Sequence, residues 1–168
     1  MNNHNSVKGI FGIGNSYRED DGIGIEIIKN LKNDKENLDC NIFGVGIDIF
    51  RVESYFDEFP KMKDVLFIDA MISENYKEGT IVVFNLETIN EENEKFATIS
   101  HSISITDYLK MLKNLKPQKL PEKILFLGVI IENINYSEEI TDKIKKTIPN
   151  IRILIKKWLK NESINGNH

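Results

Sequence analysis

Short apolar runs rich in Val, Ile and Phe alternate along this chain with longer segments whose apolar residues recur every third or fourth position. The first pattern is that of strands, the second that of amphipathic helices. Strands are predicted at 7–13, 41–46, 64–70, 79–85 and 123–131. The runs Val65-Leu66-Phe67-Ile68 and Ile124-Leu125-Phe126-Leu127 have no polar face, which places them in the middle of a sheet covered on both sides. Helices are predicted at about 22–33, with Ile23, Ile27, Ile28 and Leu31 on one face, and at about 48–59, with Phe50, Val52, Tyr55, Phe56 and Phe59. A third, at about 105–115, starts at Ser104 with Asp107 three residues on, a capping-box-like start, and lines up Ile105, Tyr108, Leu109 and Leu112. From Ser137 onward the pattern is helical but carries Pro149, so a break or kink is expected near Ile148, and Trp158 reads as a packing residue.

This alternation predicts an α/β three-layer sandwich: a five-stranded, mostly parallel twisted sheet with helices on both faces. The stretch between Asp69 and Gly79 is too short for a crossover helix, so the strand at 79–85 is expected to run antiparallel at a sheet edge. With 168 residues, a single domain spanning 1–168 is expected, its core at about 7–160, with termini 1–6 and 161–168 disordered. The polar stretches 87–94 and 116–121 read as surface loops.

Composition narrows the function classes. A net charge of −4 disfavours nucleic acid or an anionic membrane as partner. No stretch approaches the roughly 20 apolar residues of a membrane span, and the polar start does not resemble a signal peptide, so a cytoplasmic location is expected. Cys40 is the single cysteine, which excludes an internal disulfide and a thiolate zinc cluster, and at the start of a strand it reads as a packed thiol.

The candidate chemistry begins at Gly12-Ile13-Gly14-Asn15-Ser16-Tyr17-Arg18-Glu19-Asp20-Asp21-Gly22-Ile23-Gly24. Its glycines resemble a dinucleotide-binding loop, but Tyr17 stands where the third glycine of that fingerprint belongs, and an anion there would meet carboxylates. The loop suits a cation, or a positively charged group of a partner, better than a phosphate. In a doubly wound sheet, ligands bind beyond the carboxyl ends of the strands, and three groups fall there: Asp20/Asp21 after the first strand, Asp69 after the third, and His101 ahead of the 105–115 helix. Two carboxylates about 4 Å apart repel by roughly 4 kcal/mol at an effective dielectric near 20. Such a cluster therefore calls for a cation or a shared proton, and the helix dipole beyond Asp21 weakens its hold on a cation. The result is a weak, open site that meets its metal when a partner brings it. Each residue also has a plainer reading: Asp20 or Asp21 as the helix cap, Asp69 as a turn cap, His101 as a surface histidine.

Gly12-Ile13-Gly14-Asn15, Asp20-Asp21-Gly22-Ile23-Gly24, Phe67-Ile68-Asp69-Ala70, Glu78-Gly79-Thr80-Ile81 and Ser100-His101 together resemble the hydrogenase maturation endopeptidases, in order and spacing, over roughly residues 8–140. The resemblance implies an endopeptidase that removes a C-terminal peptide from the nickel-loaded large-subunit precursor of a nickel-iron hydrogenase. It implies Asp21, Asp69 and His101 as metal-binding and catalytic residues, with Gly14, Asn15 and Gly22 shaping the turn and Asn15 available to hydrogen-bond substrate backbone. It also implies nickel presented by the substrate, no organic cofactor, and the large-subunit precursor as partner. Two positions depart from the family pattern. Asp21 stands where glutamate is frequent, with Asp20 beside it. Gly44-Val45-Gly46-Ile47-Asp48 replaces a Gly-Gly-Thr-like turn, which leaves room for a different recognition of the substrate's flank. A receiver-like phosphoacceptor domain, a metal-dependent hydrolase of small molecules and a noncatalytic chaperone are the alternatives. The receiver would need a lysine after its last strand, where this chain has Ile131-Glu132-Asn133. No Gly-x-Ser-x-Gly elbow is present.

Overall fold

A computed structural model describes residues 7–34, 38–88, 97–98 (backbone only) and 104–166. Five strands form one twisted sheet in the order β2-β1-β3-β6-β4, made by β1 (Lys8–Ile13), β2 (Asn41–Gly46), β3 (Asp64–Ile72), β4 (Ile81–Asn85) and β6 (Lys123–Ile130). Neighbours are parallel except β4, which runs antiparallel to β6 at the edge, as the short connection requires. A two-residue strand, β5 (Ala97–Thr98), pairs antiparallel with the last residues of β3 and adds a sixth member that the apolar pattern is too short to reveal.

Register is marked by a ladder of rings. Phe43, Phe11, Phe67, Phe126 and Phe84 stand on β2, β1, β3, β6 and β4 in that order, and each is the register partner of the next. Their ring centroids are 4.8, 5.0, 5.4 and 5.1 Å apart across the sheet. Buried aromatic pairs of this kind add about 0.5–1.5 kcal/mol beyond their area. A one-residue slip of any strand would turn its ring to the other face.

The two faces carry separate cores. Ile10, Leu66, Ile68, Leu127 and Val129 pack with α1 (Ile23–Asn33), α4 (Asp142–Lys145) and α5 (Ile148–Leu159). The alternate positions Phe11, Val65, Phe67 and Phe126 pack with α2 (Arg51–Glu58) and α3 (Ile105–Leu115). Helices thus lie on both faces of the sheet. The buried sides of α1 and α3 are those the apolar spacing predicts, and Ser104 caps α3 by accepting from the Asp107 N–H at 3.1 Å. In α2 the helix begins at Arg51, later than the pattern suggests, and Phe50 lies outside it with its ring exposed against Tyr108.

The break expected near Ile148 separates two helices. Pro149 sits in the first turn of α5, where its missing N–H has no intrahelical partner to lose. Trp158 is buried at the other end of α5; its carbonyl accepts from the Lys8 ammonium at 2.7 Å, and that ammonium also meets Asp64 at 3.2 Å. Lys8 therefore fastens the negative end of the helix dipole to the amino-terminal edge of the sheet. Beyond α5, Ile164 packs on the first core and Gly166 lies against β4, although the polar composition of this tail predicts no structure. The expected surface loops at 87–94 and 116–121 carry 3-10 turns at Leu86–Thr88 and Pro117–Lys119, with 89–94 outside the described residues.

Candidate active site

Chain direction out of β1 defines where a ligand can enter. The connection through α1 leads to β2 on one side of β1, and the connection through α2 crosses back to β3 on the other. The crevice between the carboxyl ends of β1 and β3 is the topological switch point. Pairing of β1 with β3 ends at Gly12↔Ile68, so Asp69 is the first β3 residue beyond the ladder. Asp69 is not at the strand end, as the apolar run implies: β3 continues to Ile72, held by β6 and by β5.

Asp21 arrives at the same place from the loop after β1. It lies in a 3-10 turn, Glu19–Gly22, that leads directly into α1, and its Oδ2 accepts from the Asn15 N–H at 3.0 Å. Two glycines make the approach possible. Gly14 has φ +127°, and a Cβ there would run into the Asp21 carbonyl oxygen. At Gly24, a Cβ would overlap the carbonyl oxygens of both Ile13 and Ile68, so the first turn of α1 rests directly on the ends of β1 and β3. These glycines serve close backbone approach around an acid. Asn15 makes an Asx turn, its Oδ1 accepting from the Tyr17 N–H at 3.0 Å, and Gly22 is the N-cap residue of α1.

The structure brings Asp21 and Asp69 into electrostatic contact. Asp69 is 6% exposed; burial, and then the charge of Asp21, push its carboxyl up to about 8, and the Ala70 N–H at 2.9 Å offsets only part of that. A carboxyl in that range can hold or release a proton near neutral pH. His101 lies outside the described residues. Among the described residues, no three His, Cys, Asp or Glu side chains are grouped to hold a metal ion.

Neither acid is the N-cap residue of α1, which is Gly22. Asp20, fully buried, turns away from Asp21: its carboxylate accepts from the Thr141 N–H at 2.7 Å and from the Thr141 hydroxyl at 3.0 Å. Desolvation still raises its carboxyl above the usual range. This latch, together with Glu19 accepting from Asn135 at 2.9 Å and a parallel bridge between Arg18 and Ser137, clamps the Asp21 loop to the segment before α4. Pairs this remote in sequence carry no signal in one chain. Thr141→Val removes one donor to Asp20 and the N-cap of α4, so unfolding stability by denaturant titration is expected to fall by about 1–3 kcal/mol. Thr141→Ser is expected to keep most of it.

A cleft of about 430 Å³, lined by Lys8, Asp64, Lys123 and Trp158 among others, opens at the opposite end of the sheet, where β1, β3 and β6 begin. It does not belong to the acid pair. Burial also pushes the Cys40 thiol up to about 12, which makes it a packed, unreactive group.

The family model of hydrogenase maturation proteases matches residues 25–158. The chain belongs to that family. It is a peptidase by membership, and the receiver-like and small-molecule hydrolase alternatives give way to it. The matched stretch contains Asp69 and His101 and starts just beyond the loop that carries Asp21.

The chain is similar to the [NiFe] hydrogenase maturation protease HybD from Thermococcus kodakarensis, at 25% identity and TM-score 0.72, over 90% of this chain and 98% of that one. A second similar structure is HycI from Thermococcus kodakarensis KOD1, at 25% identity and TM-score 0.70, over 93% and 94%. HybD from E. coli shares the fold at 20% identity and TM-score 0.69, over 94% and 96%. Protein FrxA of Pyrococcus furiosus is 26% identical over 136 residues, 81% of this chain and 93% of that protein. No helix among the described residues is long and apolar enough to cross a membrane.

Proposed function

We propose that this protein is a cytoplasmic, aspartate-dependent endopeptidase that removes a C-terminal peptide from the nickel-loaded large-subunit precursor of a nickel-iron hydrogenase. Nickel arrives as part of the substrate and docks against Asp21, Asp69 and His101; no organic cofactor, nucleic acid or membrane takes part. The observation that carries this reading is the burial of Asp69 beside Asp21 at the switch point, with a carboxyl raised to about 8. An acid pair so placed favours the approach of a cation, which relieves the repulsion that burial amplifies.

Sequence order supports the third member: Thr98 pairs with Met71, two residues beyond Asp69, and His101 follows Thr98 by three positions in the sequence. Asp69 also has the strand parity of Phe67, so it belongs to the sheet face covered by α3, the helix that the His101 segment enters. In the hydrolytic step, water adds to the scissile carbonyl carbon, its proton passes to a carboxylate, and that proton goes on to the departing amine as the carbon–nitrogen bond breaks. Nickel held against Asp21, Asp69 and His101 would supply Lewis-acid polarisation of that carbonyl.

The test is to mix purified protein with nickel-containing and nickel-free precursor and follow the precursor mass. Loss of a C-terminal peptide is expected only from the nickel-containing form, and His101→Ala is expected to abolish it. Equal processing of both precursor forms, or normal processing by His101→Ala, overturns the reading.

A further inference from the structure

Large apolar side chains left in water are distributed unevenly over this molecule. Nine are exposed among the described residues, and five of them, Tyr17, Ile47, Phe50, Ile72 and Tyr136, lie where the chain leaves the carboxyl ends of β1, β2, β3 and β6. Their exposures run from 37% at Ile72 to 86% at Tyr136. The other four, Val7, Met111, Leu115 and Ile153, precede β1 or lie on α3 and α5. Scattered single exposures mean nothing; a cluster on one rim marks a binding surface.

Hydrogen bonds join the segments that carry them. The Gly14 N–H donates to the Gly46 carbonyl at 3.1 Å, tying the Tyr17 loop to the turn with Ile47, and the Ser137 N–H donates to the Tyr17 carbonyl at 3.2 Å, tying it to Tyr136. The Arg18 guanidinium lies over the Tyr136 ring, 4.8 Å from its centroid. Tyr17 is four residues from Asp21 in a loop whose Asn15 N–H holds the Asp21 carboxylate. The rim and the loop that carries Asp21 are thus parts of one hydrogen-bonded unit. Aromatic rings and an arginine held in place before a partner arrives are the composition of interface hot spots.

We infer that Tyr17, Ile47 and Tyr136, with Arg18, form a docking rim that grips apolar polypeptide of the hydrogenase precursor on either side of the nickel centre that the acid pair receives. The inference rests on the proposed function and deepens it: acids at the centre take the cation, and the apolar rim takes the chain around it. Ile47 stands in the turn that departs from the family pattern, which makes the rim the place where this protein selects its own precursor.

The experiment measures binding of nickel-loaded precursor by interferometry and, in parallel, KM and kcat for its cleavage. The triple variant Tyr17→Ala, Ile47→Ser, Tyr136→Ala is expected to weaken Kd and raise KM at least about tenfold with kcat nearly unchanged. The control Leu115→Ser, Ile153→Ser, which removes exposed apolar groups away from the rim, is expected to bind as wild type. All five substituted side chains are exposed, and thermal unfolding checks that both variants fold. A triple variant that binds as wild type, or a control that loses as much, overturns the rim while leaving the peptidase standing. Wild type that binds tightly through the rim without cleaving removes the peptidase and leaves the rim. Wild-type dimerisation that the triple variant abolishes, with precursor binding intact, assigns the surface to a second copy and overturns the inference.

Discussion

Asp69→Asn is expected to cut precursor processing by about 10²–10⁴-fold while making the protein more stable. The stability follows from the sign of the Asp69 shift. Its folded carboxyl titrates near 8 and its unfolded one near 3.8, so the folded state binds the proton more tightly. Stability from this group is complete below the unfolded value and is lost as pH rises through the folded value. Wild-type Tm should therefore carry a component that declines between about pH 4 and pH 8. Asparagine cannot ionise and keeps a carbonyl oxygen for the Ala70 N–H, so the variant should lack that component. At pH 8 a gain of at least roughly 1 kcal/mol, about 2–4 °C in Tm, is expected by calorimetry. Wild-type processing by the variant would show that Asp69 is not the reacting carboxyl, and an unchanged decline of Tm with pH would show that it is not the buried charge behind that decline. A group retained at the expense of stability is the pattern expected of a working site.

Gly24→Ala is expected to have the second large effect. Its methyl group would overlap the carbonyl oxygens of Ile13 and Ile68, which belong to the last pairs of the β1–β2 and β1–β3 ladders, so neither can move without disturbing the sheet beside Asp69. Overpacking against backbone costs about 1–3 kcal/mol or more, since no flexible side chain can turn aside. Denaturant unfolding should register that loss. Processing should fall as well, because the first turn of α1 carries Asp21 into place. The conservative comparison is Gly44→Ala, where a Cβ meets only the Ile25 and Ile28 side chains at 3.7–3.8 Å. Equal stability of Gly24→Ala and Gly44→Ala would mean that α1 does not sit on the strand ends.

Much of the architecture is legible in the order of residues because it is set by local periodicity. Two apolar runs without a polar face must be central strands, and the short interval between Asp69 and Gly79 forbids a crossover helix. Helix faces and the Ser104 cap follow from spacing alone. Phe50 misleads because an apolar residue beside a helical pattern reads as part of its buried face, whereas it ends on the exposed rim. β5 escapes because two residues have no period.

For the site, the sequence determined the reagents: an acidic pair after a glycine turn, an aspartate after an apolar strand, and a histidine ahead of a helix. It also determined that the glycine loop is unfit for an anion, since its own carboxylates stand where a phosphate would lie. Only the tertiary structure shows where each of two adjacent acids is directed. Periodicity and spacing do not separate Asp20 from Asp21, but the roughly one-third turn between neighbours in a 3-10 helix sends Asp20 to Thr141 and Asp21 to the loop facing Asp69. The raised carboxyl of Asp69 is likewise tertiary, because desolvation and a neighbouring charge exist only once β1, α1 and β3 have closed around it.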